Sequence, residues 1–116
     1  MKVIKKYIPG LKRDIDYVVG EVPQDNFDMI DKSHGDDIWF NVQGFSVGHV
    51  IARIYGINMN KRQLREVILQ GAILCKQQSK YYFMSNLVVL YNSVNQLVKT
   101  DSPGIVMAKQ SKMKII

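Results

Sequence analysis

The sequence predicts an α+β fold: a mostly antiparallel sheet packed against one principal α-helix. Two observations predict it. Short runs of β-branched and aromatic residues are punctuated by glycine, proline and asparagine, and one long stretch carries apolar residues at helical spacing. With 116 residues, 47% of them hydrophobic, the chain can bury one core of ordinary size, so 1–116 reads as a single domain.

In chain order, Asp14 to Val22 carries Ile15, Tyr17, Val18, Val19 and Val22 and reads as a strand, with Gly20 marking a bulge or a close approach. Pro23 ends it. Residues 24–32 place Phe27 and Ile30 three apart behind Asp25 as N-cap, a short helix. Ile38 to Gln43 alternates, with Ile38, Phe40 and Val42 on one side and Trp39, Asn41 and Gln43 on the other. A turn bracketed by Gly44 and Gly48 leads to a second arm, His49 to Tyr55, whose Val50, Ala52 and Ile54 join the first apolar face. That register leaves His49, Arg53 and Tyr55 beside Trp39 and Asn41.

The principal helix spans about 61–79. Leu64, Val67, Ile68, Gly71, Ala72 and Cys75 share one face, Asn60 is its natural N-cap, and the small pair Gly71-Ala72 implies close packing on the sheet. Tyr81 to Tyr91, with its apolar centre at Leu87 to Leu90, reads as a buried strand; Gln96 to Lys99, Ile105 to Ala108 and Met113 to Ile116 are shorter ones.

Charge is unevenly distributed. The chain carries +6 overall with a pI near 9.5, which favours polyanionic partners. Between Glu21 and Asp37, however, lie six acids and one base, so that segment is −5 and the remainder +11. On the helix, a 100° step per residue puts Arg65, Lys76, Arg62 and Lys80 within about 100° of Lys61, a basic stripe beside the core face. Three of these bases occupy the first turns, where the helix dipole disfavours cations, and exposed amides with clustered cations suit phosphates. Lys109, Lys112 and Lys114 extend the basic character into the tail. Trp39, with Asn41, His49 and Arg53 nearby, is a candidate base-stacking site, or else a buried structural indole.

Catalytic readings find little support. His34, Asp36, Asp37 and His49 fit no standard zinc or calcium spacing, and the acids suit helix-start and turn positions. Cys75 falls on the apolar helix face as a buried thiol, and no nucleophile has a base beside it. No enzyme activity, cofactor or metal is therefore expected. A lone cysteine and an N-terminus without a signal-peptide pattern point to an intracellular, cytoplasmic protein, and the longest apolar run, Leu87 to Tyr91, is too short for a membrane span.

The segment Asp37-Ile38-Trp39-Phe40-Asn41-Val42, followed by His49-Val50-Ile51-Ala52-Arg53, resembles the NFACT RNA-binding family, with its Asp-x-Trp-Phe-His strand, turn and His-Val pair. Gly20, Asn26 and Pro103-Gly104-Ile105-Val106 match further positions, while Asn41 stands where the family has His, and Ser46-Val47-Gly48 where it has Pro-Gly-Ser. The resemblance implies a stand-alone RNA-binding domain acting on tRNA or ribosomal RNA, in translation or ribosome quality control, without tail synthesis of its own. DNA binding by a member of the same family, and a protein adaptor that presents the acidic 21–37 segment to a ribosomal protein, stay open.

Overall fold

The computed structural model describes residues 1–44 and 48–116, so the tip of the turn predicted between Gly44 and Gly48, with Ser46 and Val47, lies outside the described residues. Among the described residues, eight strands and two α-helices follow the order β1 (Lys2–Ile8), β2 (Arg13–Val19), α1 (Pro23–Asp31), β3 (Ile38–Val42), β4 (Val50–Ala52), α2 (Lys61–Gln77), β5 (Val88–Ser93), β6 (Leu97–Lys99), β7 (Val106–Ala108) and β8 (Lys112–Ile115). A 3-10 turn, Val94–Gln96, joins β5 to β6. Six strands form one antiparallel sheet in the order β1-β2-β4-β3-β5-β8, and β6 with β7 makes a separate hairpin. This is the α+β fold that the sequence predicts.

The period-2 alternation sorts residues onto the two sheet faces. Ile15, Tyr17, Val19, Ile38, Phe40, Val42, Val50, Ala52 and Val89 pack with Val67, Ala72, Leu74 and Cys75 of α2. Val18, Trp39 and Ile51 point the other way, toward Met29 of α1, Val94, and the flanking Leu97, Val106 and Ala108 of the hairpin. The central strands are thus buried on both sides, by α2 on one face and by α1 with the β6–β7 hairpin on the other.

Helix α2 begins where Asn60 predicts. The Asn60 Oδ1 accepts from the Gln63 backbone N–H at 2.8 Å, and Gln63 Oε1 accepts from the Asn60 N–H at 2.8 Å, satisfying two amides reciprocally. The Gln63 amide also donates to the Gly10 carbonyl at 3.0 Å, fixing the helix start beside the β1–β2 turn. At its other end Cys75 Sγ lies 3.3 Å from the Gly48 carbonyl oxygen. Between these points the helix crosses Phe40 so closely that a Cβ on Gly71 would sit 2.2 Å from the ring.

Two local expectations are corrected, and one strand is added. The N-cap of α1 is Val22; Asp25 sits one turn inside, where Oδ2 accepts the backbone N–H groups of Glu21 and Val22 at 2.9 and 3.3 Å. The strand predicted from Tyr81 begins only at Val88, and residues before it form turns despite their aromatic content. Conversely, Lys2–Ile8 forms an edge strand that its lysine content conceals; Ile4 and Ile8 pack toward the α2 side.

Gly71→Ala should lower stability by about 1–3 kcal/mol through overpacking against Phe40, outweighing the roughly 1 kcal/mol of helix propensity gained. Urea denaturation measures it; wild-type stability would show that the helix does not lie this close.

Candidate nucleic-acid interface

The indole of Trp39 is 3% exposed, so its ring does not present a free stacking face. Its Nε1–H donates to Asn26 Oδ1 at 3.0 Å, and the Asn26 Nδ2 donates to the Gly104 carbonyl at 2.7 Å. Gly104 adopts φ +78°, and a Cβ there would fall 2.1 Å from the Pro23 carbonyl oxygen, so the turn requires glycine. Gly20 lies against Met29, whose Sδ would be 3.0 Å from an added Cβ: a close approach, one of its two predicted roles. Asp37 is also buried. Its Oδ1 accepts from the N–H groups of Ile54 and Tyr55 at 2.9 and 3.0 Å, and its Oδ2 from that of His34 at 3.0 Å. The Tyr55 ring stacks on His34 at 3.9 Å.

Trp39, Asn41 and His49 do come together. With Gly44, Gly104, Ile105 and Val106 they line a pocket of about 400 Å³ on the α1 side of the sheet. His49 stacks on Trp39 with ring centroids 5.6 Å apart, and burial pushes its pKa down to about 4. Among the described residues the buried Asn41 Oδ1 has no hydrogen-bond partner. Arg53 shares that sheet face but not the pocket. It lies beyond Ile51, in a separate hollow with Lys5, Arg13, Asp14 and Asp16.

The cations sort by face. Lys2 and Lys6 of β1 stand opposite Val19 and Ile15, and Lys112 and Lys114 of β8 opposite Tyr91 and Val89, which places all four on the α2 side. Lys61, Arg62, Arg65 and Lys80 are exposed on α2 and just after it. Lys76 is half-buried and donates to the Ile116 main-chain oxygen at 3.0 Å, which makes it a tether of the last strand as well as a charge. Lys109 is exposed in the turn between β7 and β8. Helix α2 is about 25 Å long, so its predicted stripe divides into a cluster at the β1–β2 end and another at the β8 edge.

On the opposite side Lys5 contacts Asp16 at 2.8 Å and Lys99 pairs with Asp31, whereas Arg53 and Lys32 form no ion pair among the described residues. Among the described residues, no base of the α2 side forms an ion pair. The two predicted clusters therefore lie on opposite faces of the sheet and do not form one groove. Lys2 and Lys6 escaped the sequence reading because β1 did; the alternation of Lys2, Ile4, Lys6 and Ile8 was the available signal.

His49 makes stability pH-dependent. Its folded pKa, about 4, lies below the unfolded value of 6.5, so the unfolded chain binds the extra proton. The stabilisation is fully present above pH 6.5 and is lost as pH falls toward 4, a difference of about 3 kcal/mol. Denaturation at pH 7 and pH 4.5 should show a drop that is smaller in His49→Phe; equal drops in both proteins would contradict the buried neutral ring.

No family model matches the chain, and neither does any curated protein. Among solved structures it is similar to the C-terminal part of the fibronectin/fibrinogen-binding protein from Streptococcus suis, with a TM-score of 0.79 and 18% identity. The match covers 100% of this chain and 46% of that one, so the chain spans less than half the length of the structure it resembles. At that identity the likeness establishes a shared fold.

Proposed function

We propose that this chain is a non-catalytic nucleic-acid-binding module that holds the phosphate backbone of RNA on its α2 side. The observation that carries the reading is the segregation of charge. Lys2, Lys6, Lys61, Arg62, Arg65, Lys80, Lys112 and Lys114 occupy one side without acid partners among the described residues, whereas Lys5 and Lys99 on the other side are paired. Grouped like charges raise the free energy of the folded chain in the absence of a counter-charge, and a polyanion supplies one. Each phosphate neutralised releases counterions, which makes affinity fall steeply with salt.

RNA is preferred over DNA because of the NFACT resemblance in Asp37–Val42 and His49–Arg53, from which tRNA or ribosomal RNA and a cytoplasmic setting also follow as parts of the proposal. The adaptor reading is weaker in physical terms. Of the acidic segment, Asp25 caps backbone amides, Asp31 pairs with Lys99, and Asp37 is buried on three N–H groups. Three of its six carboxylates are thereby engaged within the fold.

The double change Arg62→Glu and Arg65→Glu should weaken binding to tRNA and single-stranded RNA by tenfold or more. It should also flatten the salt dependence, since log K changes by about 0.7–0.9 per phosphate contact per decade of salt. Fluorescence anisotropy at two salt concentrations, with duplex DNA as a third ligand, measures both; unchanged affinity would contradict the assignment.

A further inference from the structure

The turn between α2 and β5 exposes aromatic surface that the fold does not use. Tyr82 is 63% and Phe83 73% exposed, with Met84 beside them at 43%, while neighbouring Tyr81 and Leu87 supply the packing to the core. The Tyr82 and Phe83 rings meet edge-to-face, centroids 5.7 Å apart, so each braces the other. Both ends of the segment are fixed. The Tyr81 N–H donates to Ser79 Oγ at 3.2 Å and that of Met84 to the Tyr81 carbonyl at 2.9 Å; Leu87 exchanges two 2.9 Å backbone bonds with Ile116.

Three lysines belong to the segments that hold this platform. Lys80 immediately precedes it, Lys76 reaches the same Ile116 oxygen that Leu87 engages, and Lys114 lies two residues back along β8 on the α2 side. Exposed aromatic rings held by segments that carry Lys80 and Lys114, which form no ion pair among the described residues, match the requirements of an unpaired nucleotide, whose base stacks on a ring while its phosphate meets a lysine. In a duplex the bases are already stacked on one another and offer no free face. A membrane anchor would need a broader apolar face than two rings and one thioether present.

We infer that Tyr82 and Phe83 form a stacking site for unpaired bases, so that the module binds single-stranded RNA in preference to duplex. This rests on the proposed phosphate-binding role of the α2 side and specifies the form of ligand held there.

The test compares wild type, Tyr82→Ala/Phe83→Ala and Tyr82→Trp/Phe83→Trp by anisotropy with a single-stranded RNA and an RNA duplex of the same length. The alanine variant should bind the single strand about tenfold or more weaker, with duplex affinity and salt dependence unchanged, and the tryptophan variant should retain single-strand affinity. Equal loss on both ligands, or no loss on the single strand, would overturn the stacking site while leaving the phosphate surface standing. Failure of wild type to bind either RNA would overturn both. Binding of wild type to vesicles rich in anionic lipid, abolished in the alanine variant, would reassign the rings to a membrane surface.

Discussion

The structure depends on one buried side chain, Asn26. Fully enclosed, its amide receives the Trp39 indole N–H and donates to the Gly104 carbonyl, and so joins α1, the centre of the sheet and the turn of the β6–β7 hairpin. Neither α1 nor a two-stranded hairpin is large enough to stand alone. Docked together over Trp39, Val18 and Ile51 they become the second covering layer of the sheet. Loss of the amide would strand an indole donor and a carbonyl in an apolar layer, where each unmet group costs about 1–3 kcal/mol.

That closure shapes the electrostatics. With α1 seated over the sheet, the acidic segment lies on the same side as the hairpin, where Asp31 meets Lys99 and Asp16 meets Lys5. Lys2 and Lys6 of β1, Lys112 and Lys114 of β8 and the bases of α2 are on the other side, without such partners among the described residues. Lys61, Arg62 and Arg65 additionally face the positive end of the helix dipole, an arrangement that disfavours each by a few tenths to about 1 kcal/mol. The proposed phosphate ligand would offset that cost. The Trp39 pocket, with its neutral His49 and an Asn41 oxygen that has no partner among the described residues, lies apart from this surface.

The sequence was legible where local rules and tertiary packing agree. Asn60 capped α2 as predicted, Gly71 marked a close approach of helix to sheet, and Phe40 and Trp39 took opposite faces of β3. It was illegible where the outcome depends on a distant partner. The Trp39 side of β3 looked polar because its neighbours Asn41 and Gln43 are polar; its burial comes from Asn26, thirteen positions away, and from the hairpin near the end of the chain. Tyr81 to Phe83 has strand propensity, yet among the described residues no strand pairs with it. The first strand shows the reverse: three lysines within seven residues resemble a solvated tail, and only pairing with β2 along its whole length makes it part of the sheet. At the site, the basic stripe was visible from helical periodicity, but its extension onto Lys2 and Lys6 needed the strand register.

The most direct test is an amide-resolved NMR titration of the isotopically labelled protein with single-stranded RNA. The account predicts that shift changes concentrate in α2, the outer strands β1 and β8, and residues 81–86, while the Trp39 indole N–H signal stays in place. Changes centred on α1 and residues 34–37, with the α2 side undisturbed, would contradict it.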